Sequence, residues 1–251
     1  MRVLLISDVH SNLEALEACL NHAPAYDRVA NLGDIIGYGA SPNEVIDRVR
    51  ELGGLYVRGN HDRACSGMDD ISNFNPIAAT AALWTRSTLH AENLLWIRKL
   101  PRGPIFDPEV SGVQFVHGSP NDEDEYILNS FAAIAALEEA EPAVTFFGHT
   151  HMQGGMGLRD GVNFSLRLEF PSKEKAEHMT ITLDPSAKYL LNPGSVGQPR
   201  DADWRAAFAV YDSEKHAVSF YRVPYAIEAA QHRIIAANLP PRLASRLREG
   251  R

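Results

Sequence analysis

Cysteine is scarce in this chain, and so are long apolar runs. Two cysteines, Cys19 and Cys65, occur among the 251 residues, too few for a disulfide framework. The only apolar run near the amino terminus, residues 3–6 (VLLI), is broken at once by Ser7 and Asp8. A run of this length is shorter than a secretory signal or a membrane span requires. We therefore expect a cytoplasmic protein without a membrane partner.

An excess of positive charge is also missing. Lys and Arg number 24 against 32 Asp and Glu, which gives a formal net charge of −8 at pH 7. Nonspecific nucleic-acid binding needs cationic side chains that neutralise phosphates, so this balance argues against a long polyanion as the main ligand. The sequence shows no internal repeat or low-complexity segment. With 45% apolar residues the core can be large. The length allows one α/β domain or two small ones, and we predict a single domain over residues 1–251.

What the chain does contain is a set of five short segments rich in Gly, Asp and His. They are Asp8-Val9-His10, Gly33-Asp34, Gly59-Asn60-His61-Asp62, His117-Gly118-Ser119 and Gly148-His149-Thr150-His151. Each follows a short apolar run that predicts a buried strand, at residues 2–6, 28–32, 55–57, 113–116 and 144–147. Open α/β sheets build their sites at the carboxyl ends of neighbouring strands. We therefore predict that the five segments converge on one crevice.

Strands and helices alternate through the first half of the chain. Ser11, with Glu14 three residues later, predicts a capping box that opens a helix ending near Leu20. Residues 42–52 predict a second helix, and this βαβαβ order implies parallel strands with right-handed crossovers. Residues 63–101 predict a helical block between two of the polar segments, which we interpret as a cap-like insertion that affects specificity.

The second half of the chain predicts a helix at residues 130–141 and then shorter strands linked by turns. Those strands are expected at residues 162–170, 178–183, 188–191, 206–211 and 217–223. Their turn-linked order predicts a second, mostly antiparallel sheet. The Arg-rich residues 242–251 are expected to form a solvated or frayed terminus.

The side-chain types in the five segments predict a metal centre. Carboxylate, imidazole and amide oxygen together suit manganese, iron or zinc better than calcium. Two such ions about 3.5–4 Å apart can share a hydroxide and hold both the attacking and the leaving oxygens of an in-line displacement. The predicted cofactors are therefore two divalent transition-metal ions. A single Asp at a strand end or a lone His is more often structural, so this prediction depends on the combination.

In order and composition, the five segments resemble those of the calcineurin-like metallophosphoesterase superfamily. They look most like its small bacterial branch of phosphodiesterases and diadenosine polyphosphate hydrolases, to which residues 192–201 (NPGSVGQPRD) are also similar. The resemblance covers most of the chain, and the Gly-Asn-His-Asp and Gly-His-Thr-His elements are specific in combination. It implies an α/β fold, a four-layer αββα sandwich of two mixed sheets, here with the helical insertion.

The resemblance also implies which residues hold the two ions. The first ion would be bound by Asp8, His10, Asp34 and His151. The second ion would be bound by Asp34, Asn60, His117 and His149. Asp34 would bridge them, since a carboxylate has two oxygens to share. His61 would remain off the metals as a general acid or a stabiliser of charge on phosphorus, and Asp62 is a catalytic candidate that would orient it.

Three further residues are candidates for substrate binding. Arg200 is the only basic residue of its segment and is a candidate phosphate clamp. Asn192 begins a sequence that forms a turn in many proteins, so lining the site and forming a turn both remain open. Phe74 lies in a polar turn and is a better contact candidate than Trp84 or Trp96, for which packing between helices is favoured.

An acidic run, residues 122–125 (DEDE), follows the His117 segment. Most such runs are solvated loops, and one at the edge of the pocket would repel a polyanionic substrate. Tyr126 comes directly after this run. We expect it to pack against its neighbours, with stacking on a base as the alternative.

These observations together predict a dimetal phosphoesterase that acts on a small phosphoester or nucleotide. A phosphodiesterase or nucleotide-polyphosphate hydrolase is favoured, and a small-molecule phosphomonoesterase is the alternative. A metal-dependent hydrolase of another bond, such as an amide, is less favoured because Asn60-His61 resembles phosphoesterases. A non-catalytic scaffold is less favoured because no expected ligand is missing. The oligomeric state is left open.

Overall fold

The computed structural model describes residues 1–72 and 74–251, which contain twelve strands and eight helices. The strands are β1 (Arg2–Ile6), β2 (Arg28–Asn31), β3 (Leu55–Tyr56), β4 (Ile105–Phe106), β5 (Val113–Phe115), β6 (Val144–Phe146), β7 (Gly154–Arg159), β8 (Val162–Leu166), β9 (Glu177–Thr182), β10 (Lys188–Asn192), β11 (Ala206–Asp212) and β12 (Ala217–Val223). The helices are α1 (Leu13–His22), α2 (Pro42–Leu52), α3 (Asn60–Ser66), α4 (Pro76–Thr88), α5 (Ala91–Ile97), α6 (Ser130–Glu139), α7 (Ile227–Ala236) and α8 (Pro241–Glu249).

The strands form two six-stranded mixed sheets. The first has the order β3-β2-β1-β11-β12-β9, and the second has the order β4-β5-β6-β10-β7-β8. In the first sheet β1, β2 and β3 run parallel, whereas β11 pairs antiparallel with β1 and is followed by antiparallel β12 and β9. In the second sheet β5, β6 and β10 run parallel, and the edges are antiparallel.

Side chains on β1 show how the layers are built. Leu4 and Ile6 pack with residues of α1, α2, α7 and α8 on the outer face of the first sheet. Val3 and Leu5 point the other way, into a core between the two sheets. This alternation is the period of two that a strand imposes. On the outer face of the second sheet, α6 packs on Phe147 and Leu190. The predicted four-layer αββα sandwich is therefore confirmed.

The strands of the second half do not form a sheet of their own, so that part of the sequence prediction is wrong. Strands β9, β11 and β12 extend the sheet begun by β1, and β7, β8 and β10 join β4, β5 and β6. Local pattern identifies a strand, but its partner is chosen by contacts far away in sequence. Strand β7 was not predicted because Gly154, Gly155 and Gly157 are atypical of strands.

The carboxyl-terminal residues also differ from the prediction. Instead of a frayed terminus, α8 packs on α7 and buries Leu243, Ala244 and Leu247. Arg242, Arg248 and Glu249 lie on the exposed face, as in an amphipathic surface helix, whereas Arg246 is half-buried. Across the described ranges, no helix combines the length and hydropathy that crossing a bilayer requires.

Near the amino terminus, the first helix begins one residue later than the predicted capping box. Asn12 is the N-cap, and its side chain accepts a hydrogen bond from the amide of Ala15. Ser11 instead has φ of +54° and belongs to the turn that carries His10. The described part of the block at residues 63–101 contains most of α3 together with α4 and α5, so the helices expected there are present.

Candidate active site

The five polar segments meet at one edge of the two sheets. The segments that contain Asp8 and Asp34 follow β1 and β2 of the first sheet. The segments that contain His117 and His149 follow β5 and β6 of the second sheet. The Gly-Asn-His-Asp segment follows β3 and begins α3. The carboxyl ends of parallel strands from both sheets therefore contribute to one crevice.

Strained backbone accompanies this convergence. Asp8, His10, Asp34, His149 and His151 all have positive φ, between 47° and 64°. Such conformations cost on the order of 1–3 kcal/mol each for residues with a Cβ and persist where the surrounding structure enforces them. The fold therefore enforces the backbone conformation that sets the direction of these five side chains.

The first group of side chains contains Asp8, His10, Asp34 and His151. Each offers a ligand atom, these atoms lie within 4.8 Å of one another, and all four residues are buried. The Nε2 atoms of His10 and His151 are 3.1 Å apart. Asp8 Oδ1 is 3.3 Å from the same His151 nitrogen. The donors thus face a common centre.

Hydrogen bonds at the Nδ1 atoms of His10 and His151 determine which nitrogen of each ring can bind a metal ion. His10 Nδ1 lies 3.2 Å from the Ile36 carbonyl oxygen, and His151 Nδ1 lies 2.6 Å from that of Gln198. A carbonyl oxygen only accepts, so in each ring Nδ1 carries the hydrogen and Nε2 presents a lone pair. Two lone pairs facing each other at 3.1 Å repel unless a cation lies between them. The residues present therefore fit a metal ion.

The second group contains Asp34, His117 and His149, again buried and again within 4.8 Å of one another. His117 Nδ1 donates to the Leu32 carbonyl at 2.7 Å, so its Nε2 is the acceptor, and this atom lies 3.4 Å from Asn60 Oδ1. His149 Nε2 donates to the Asp124 carbonyl, which leaves Nδ1 as its acceptor. These atoms form a second inward-facing donor set.

Asp34 belongs to both groups. Its Oδ2 lies 3.6 Å from His10 Nε2 and 3.6 Å from His117 Nε2. Its other oxygen, Oδ1, accepts a 2.8 Å hydrogen bond from the His61 amide. One carboxylate oxygen is thus held by the backbone while the other lies between the two histidine sets.

Burial shapes the protonation of both groups. It raises the pKa of Asp8 to about 7 and raises the pKa of Asp34, where the nearby Asp62 carboxylate adds to the effect. It also lowers the pKa of His10 and His151, and lowers that of His149 to about 2. Neutral imidazoles are the form that binds metals, and buried carboxylates are stabilised by a cation. The directions of these pKa shifts therefore agree with the metal-binding arrangement that the hydrogen bonds indicate.

His61 lies beside the two groups. Its ring is 4.3 Å from the Tyr38 ring and 4.8 Å from the Phe74 ring, measured between centroids. Burial lowers the pKa of His61, with the positive charge of Arg200 acting in the same direction. Among the described residues, its buried Nδ1 has no hydrogen-bond partner. Aromatic packing therefore orients this imidazole.

Two predicted site residues face other parts of the structure. Asp62 accepts hydrogen bonds from the amides of Asp34, Ile36 and Gly59, so it fixes the Asp34 loop and does not orient His61. Asn192 is buried and donates to the carbonyl oxygen of Gly148 and to Thr150 Oγ1. Its side chain holds the Gly-His-Thr-His loop. Sequence identifies such a residue but not where its side chain points.

A cleft of about 340 Å³ opens beside His61. It is lined by Tyr38, Asn60, His61, Arg63, Asp69, Asp70, Phe74, Asn75, Ala78, Asp124, Tyr126 and His149. Phe74 thus lines the cleft, whereas Trp96 packs on Tyr56 away from it. The Tyr126 ring packs at a tilt of 32° on that of His149, with ring centroids 3.7 Å apart. Tyr38 was missed because it follows no recognisable motif.

The acidic run at the cleft edge is tied to the Gly-Asn-His-Asp segment by ion pairs. Glu123 accepts two 2.8 Å hydrogen bonds from Arg58. Asp124 accepts from Arg63 at 2.7 and 2.8 Å. The run is therefore partly neutralised and anchored at these two positions, and it does not behave as a free solvated loop.

Comparison with known proteins agrees with this geometry. Residues 1–216 match the calcineurin-like phosphoesterase superfamily domain. The chain is 35% identical to an uncharacterized protein of Methanocaldococcus jannaschii, over 99% of this chain and 98% of that protein. A metallophosphoesterase from Sphaerobacter thermophilus superposes with a TM-score of 0.82 at 38% identity, covering 100% of this chain and 99% of that one. A hypothetical protein from Pyrococcus horikoshii shares the fold, with a TM-score of 0.80 at 20% identity over 100% and 98% of the two chains.

The fold and the clustered Asp and His residues define a metal-dependent phosphoesterase. The chain belongs to the calcineurin-like phosphoesterase superfamily. The family resemblance and the hydrolase class predicted from the sequence are thereby confirmed, and the divalent metal ions are supported by the family and by the two side-chain groups.

Gly37→Ala is expected to lower kcat by about 10²-fold on the catalytic role predicted for His61 from the sequence, because displacing a catalytic group by about 1 Å costs that much. Gly37 has φ of +96°, and an added Cβ would lie 2.7 Å from His61 Nδ1. The metal content should be unchanged, and the loss should be larger for esters with poor leaving groups. Gly161→Ala is the matched control, since Gly161 has φ of +74° with no atom within 4 Å of an added Cβ. Steady-state rates that are equal in the two variants would show that Gly37 does not position His61.

Proposed function

We propose that the protein is a two-metal phosphodiesterase or nucleotide-polyphosphate hydrolase acting on small substrates. The observation that carries the proposal is the position of Asp34 Oδ2, 3.6 Å from a histidine nitrogen of each group. A carboxylate shared in this way is suited to bridge two ions. The predicted cytoplasmic location and small phosphoester partner belong to the same proposal.

The donor sets suggest how the ions would be divided. One ion would be held by Asp8, His10, Asp34 and His151, and the other by Asp34, Asn60, His117 and His149. Both sets mix carboxylate with imidazole, and the second adds an amide oxygen, which favours manganese, iron or zinc. When bound, such ions activate water and neutralise charge on the phosphoryl oxygens.

We assign the remaining proton transfer to His61. Water adds to phosphorus and releases a proton to solvent, the bond from phosphorus to the leaving oxygen breaks, and that oxygen takes a proton from the protonated His61 imidazole, which then takes up a proton again from solvent. The products are a phosphate monoester and an alcohol when the substrate is a diester. Burial favours the neutral imidazole in the free protein, and the negative charge of a bound phosphate favours its protonated form.

Cleft size and charge support a diester over a monoester. A volume of about 340 Å³ is at the small end of ligand pockets and suits a substrate of nucleotide size. Three carboxylates, those of Asp69, Asp70 and Asp124, line this cleft with the guanidinium of Arg63, which pairs with Asp69 and Asp124 and leaves the lining with a net negative charge. Such carboxylates disfavour the dianion of a monoester more than the single charge of a diester.

The test combines metal analysis with two chromogenic esters. Elemental analysis should find two transition-metal ions per chain in active protein. The loaded protein should hydrolyse bis(p-nitrophenyl) phosphate with higher kcat/KM than p-nitrophenyl phosphate. The reverse preference would support the alternative, a phosphomonoesterase. Absence of turnover of both esters at full metal occupancy would contradict the proposal.

We propose further that the helical block at residues 63–101 sets substrate choice as a cap-like insertion within the single domain. Asp69, Asp70 and Phe74 come from this block and line the cleft. Phe74→Ala should therefore change relative kcat/KM values across a panel of nucleotide esters. A change of about threefold to tenfold between substrates is expected from lost aromatic contact, typically 0.5–1.5 kcal/mol.

Phe131→Ala provides the control for this substitution. Phe131 is 86% exposed on α6 and does not line the cleft. Phe131→Ala should leave the relative kcat/KM values across the panel of nucleotide esters unchanged. Identical substrate profiles in Phe74→Ala and the unmodified protein would remove Phe74 from the specificity determinants.

A further inference from the structure

Two arginines flank the Tyr38 ring at the side of the cleft. The Cζ atom of Arg200 is 5.9 Å from the ring centroid, and that of Arg246 is 5.7 Å from it. Arg200 Nη2 also lies 3.5 Å from the Tyr38 hydroxyl oxygen. Arg200 comes from the loop after β10, and Arg246 comes from α8. Two distant parts of the chain thus bring positive charge to one tyrosine.

These two arginines differ from the other arginines near the cleft. Arg58 and Arg63 form ion pairs with Glu123 and Asp124. Within the described ranges, neither Arg200 nor Arg246 has a side-chain carboxylate within 4.0 Å, although Arg246 Nε donates to the main-chain oxygen of Arg251. Arg200 Nε is buried without a hydrogen-bond partner there. Arg200 Nη2 contacts the neutral Tyr38 hydroxyl and Gln198 Oε1, and among the described residues its charge has no acidic side-chain partner.

The two neighbouring positive charges destabilise each other. Burial lowers the pKa of Arg246, and the positive charge of Arg200 lowers it further. Like charges that are partly removed from water repel each other strongly, and buried guanidinium groups are normally paired with an acid. An anionic group between them would relieve both effects, and bidentate contacts make arginine well suited to phosphate.

Tyr38 lies between this pair of arginines and the histidines of the proposed reaction site. The ring lies 4.3 Å from that of His61 and 4.7 Å from that of His10. An anion held by the arginines would therefore be next to the phosphate that reacts, on the side of the proposed proton donor. Residues 1–216 match the superfamily domain, so Arg246 lies outside that match.

We propose that Arg200, Arg246 and Tyr38 form a second phosphate subsite, which makes a phosphoanhydride with two adjacent phosphates the preferred substrate class. This inference rests on the proposed function. Water would add to the phosphorus at the metal centre, and the bridging P–O bond would break. The bridging oxygen would leave on the second phosphate, which the arginines hold. Hydrolysis of a symmetrical diphosphate diester then gives two phosphate monoesters.

A matched pair of substrates tests the subsite. Bis(p-nitrophenyl) phosphate and the symmetrical bis(p-nitrophenyl) diphosphate differ by one phosphate, and products of both can be separated by chromatography. Arg246→Ala should reduce kcat/KM for the diphosphate about 10- to 100-fold more than for the monophosphate, as expected for lost hydrogen bonds between charged groups. The loss should appear mainly as a higher KM, and Arg246→Lys should restore part of it.

Arg248→Ala is the control on the same helix, since Arg248 is exposed and pairs with Glu228. It should affect neither substrate. Equal losses for both substrates in Arg246→Ala, or no loss, would overturn the subsite. If the metal-loaded protein hydrolyses neither ester, the proposed function fails, and binding of ADP to that protein decides the subsite separately. About tenfold weaker ADP binding by Arg246→Ala would support it, and unchanged affinity would overturn it.

Discussion

Asp34→Asn is expected to abolish phosphoesterase activity and to lower the content of both metal ions. The asparagine keeps an oxygen that can accept from the His61 amide, as Asp34 Oδ1 does. It loses the negative charge of Oδ2, the atom placed between the two histidine groups. Metal-ion charge stabilisation is worth several kcal/mol, so kcat should fall by on the order of 10³-fold or more.

Elemental analysis of the variant, alongside rates with bis(p-nitrophenyl) phosphate, measures both effects. Asp160→Asn is a matched control, because Asp160 is exposed and has φ of 51° against 53° for Asp34. Asparagine tolerates this conformation, so neither substitution adds backbone strain. Asp8→Asn should instead deplete one ion preferentially. Two ions retained at full occupancy in Asp34→Asn would contradict the bridging role.

His61→Ala is expected to reduce kcat by about 10²–10⁴-fold for a substrate with a poor leaving group, the usual contribution of a positioned general acid. Its amide still donates to Asp34 after the substitution, since this contact uses the backbone. Both metals should therefore remain bound. The reduction should be smaller for p-nitrophenolate, which leaves without needing a proton.

The measurement compares kcat for bis(p-nitrophenyl) phosphate with kcat for a dinucleoside monophosphate, whose leaving group is an alcohol. His61→Gln serves as a second variant that fills more of the space between Tyr38 and Phe74. Equal losses with both leaving groups would assign His61 to charge stabilisation on phosphorus. Loss of a metal ion would show that the ligand set is wrong.

The strand-end segments were the part of the site that sequence could predict. A run such as residues 2–6 followed by Asp8 and His10 is a local signal, and the convergence of such segments follows from the topology of α/β sheets. The structure brings Asp8, His10, Asp34 and His151 within 4.8 Å of one another as this reasoning requires. The αββα layers followed from the family resemblance and were confirmed.

Contacts between segments that are distant along the chain could not be predicted from the sequence. Strand β11 pairs with β1 across more than two hundred residues, so the sheet it joins was not visible in its local pattern. Leu243, Ala244 and Leu247 are spaced for one helical face, but the surrounding arginines suggested a solvated tail. Arg246 lies beside Tyr38 because α8 packs on α7.

The direction in which a side chain points could not be predicted from the sequence either. Asp62 directly follows His61, yet its carboxylate faces the Asp34 loop while the imidazole packs on Tyr38. Asn192 lies in a segment similar to those of related phosphoesterases, yet its amide is used within the protein. Residue identity and spacing do not determine which way such side chains point, because the surrounding loops decide it.

An anomalous difference map from crystals of the manganese-loaded protein tests the central claim most directly. The account predicts two separate peaks that both contact Asp34. One peak should also contact Asp8, His10 and His151, and the other should contact the side chains of Asn60, His117 and His149. A single peak at saturating manganese, or two peaks that do not share Asp34, would contradict the account.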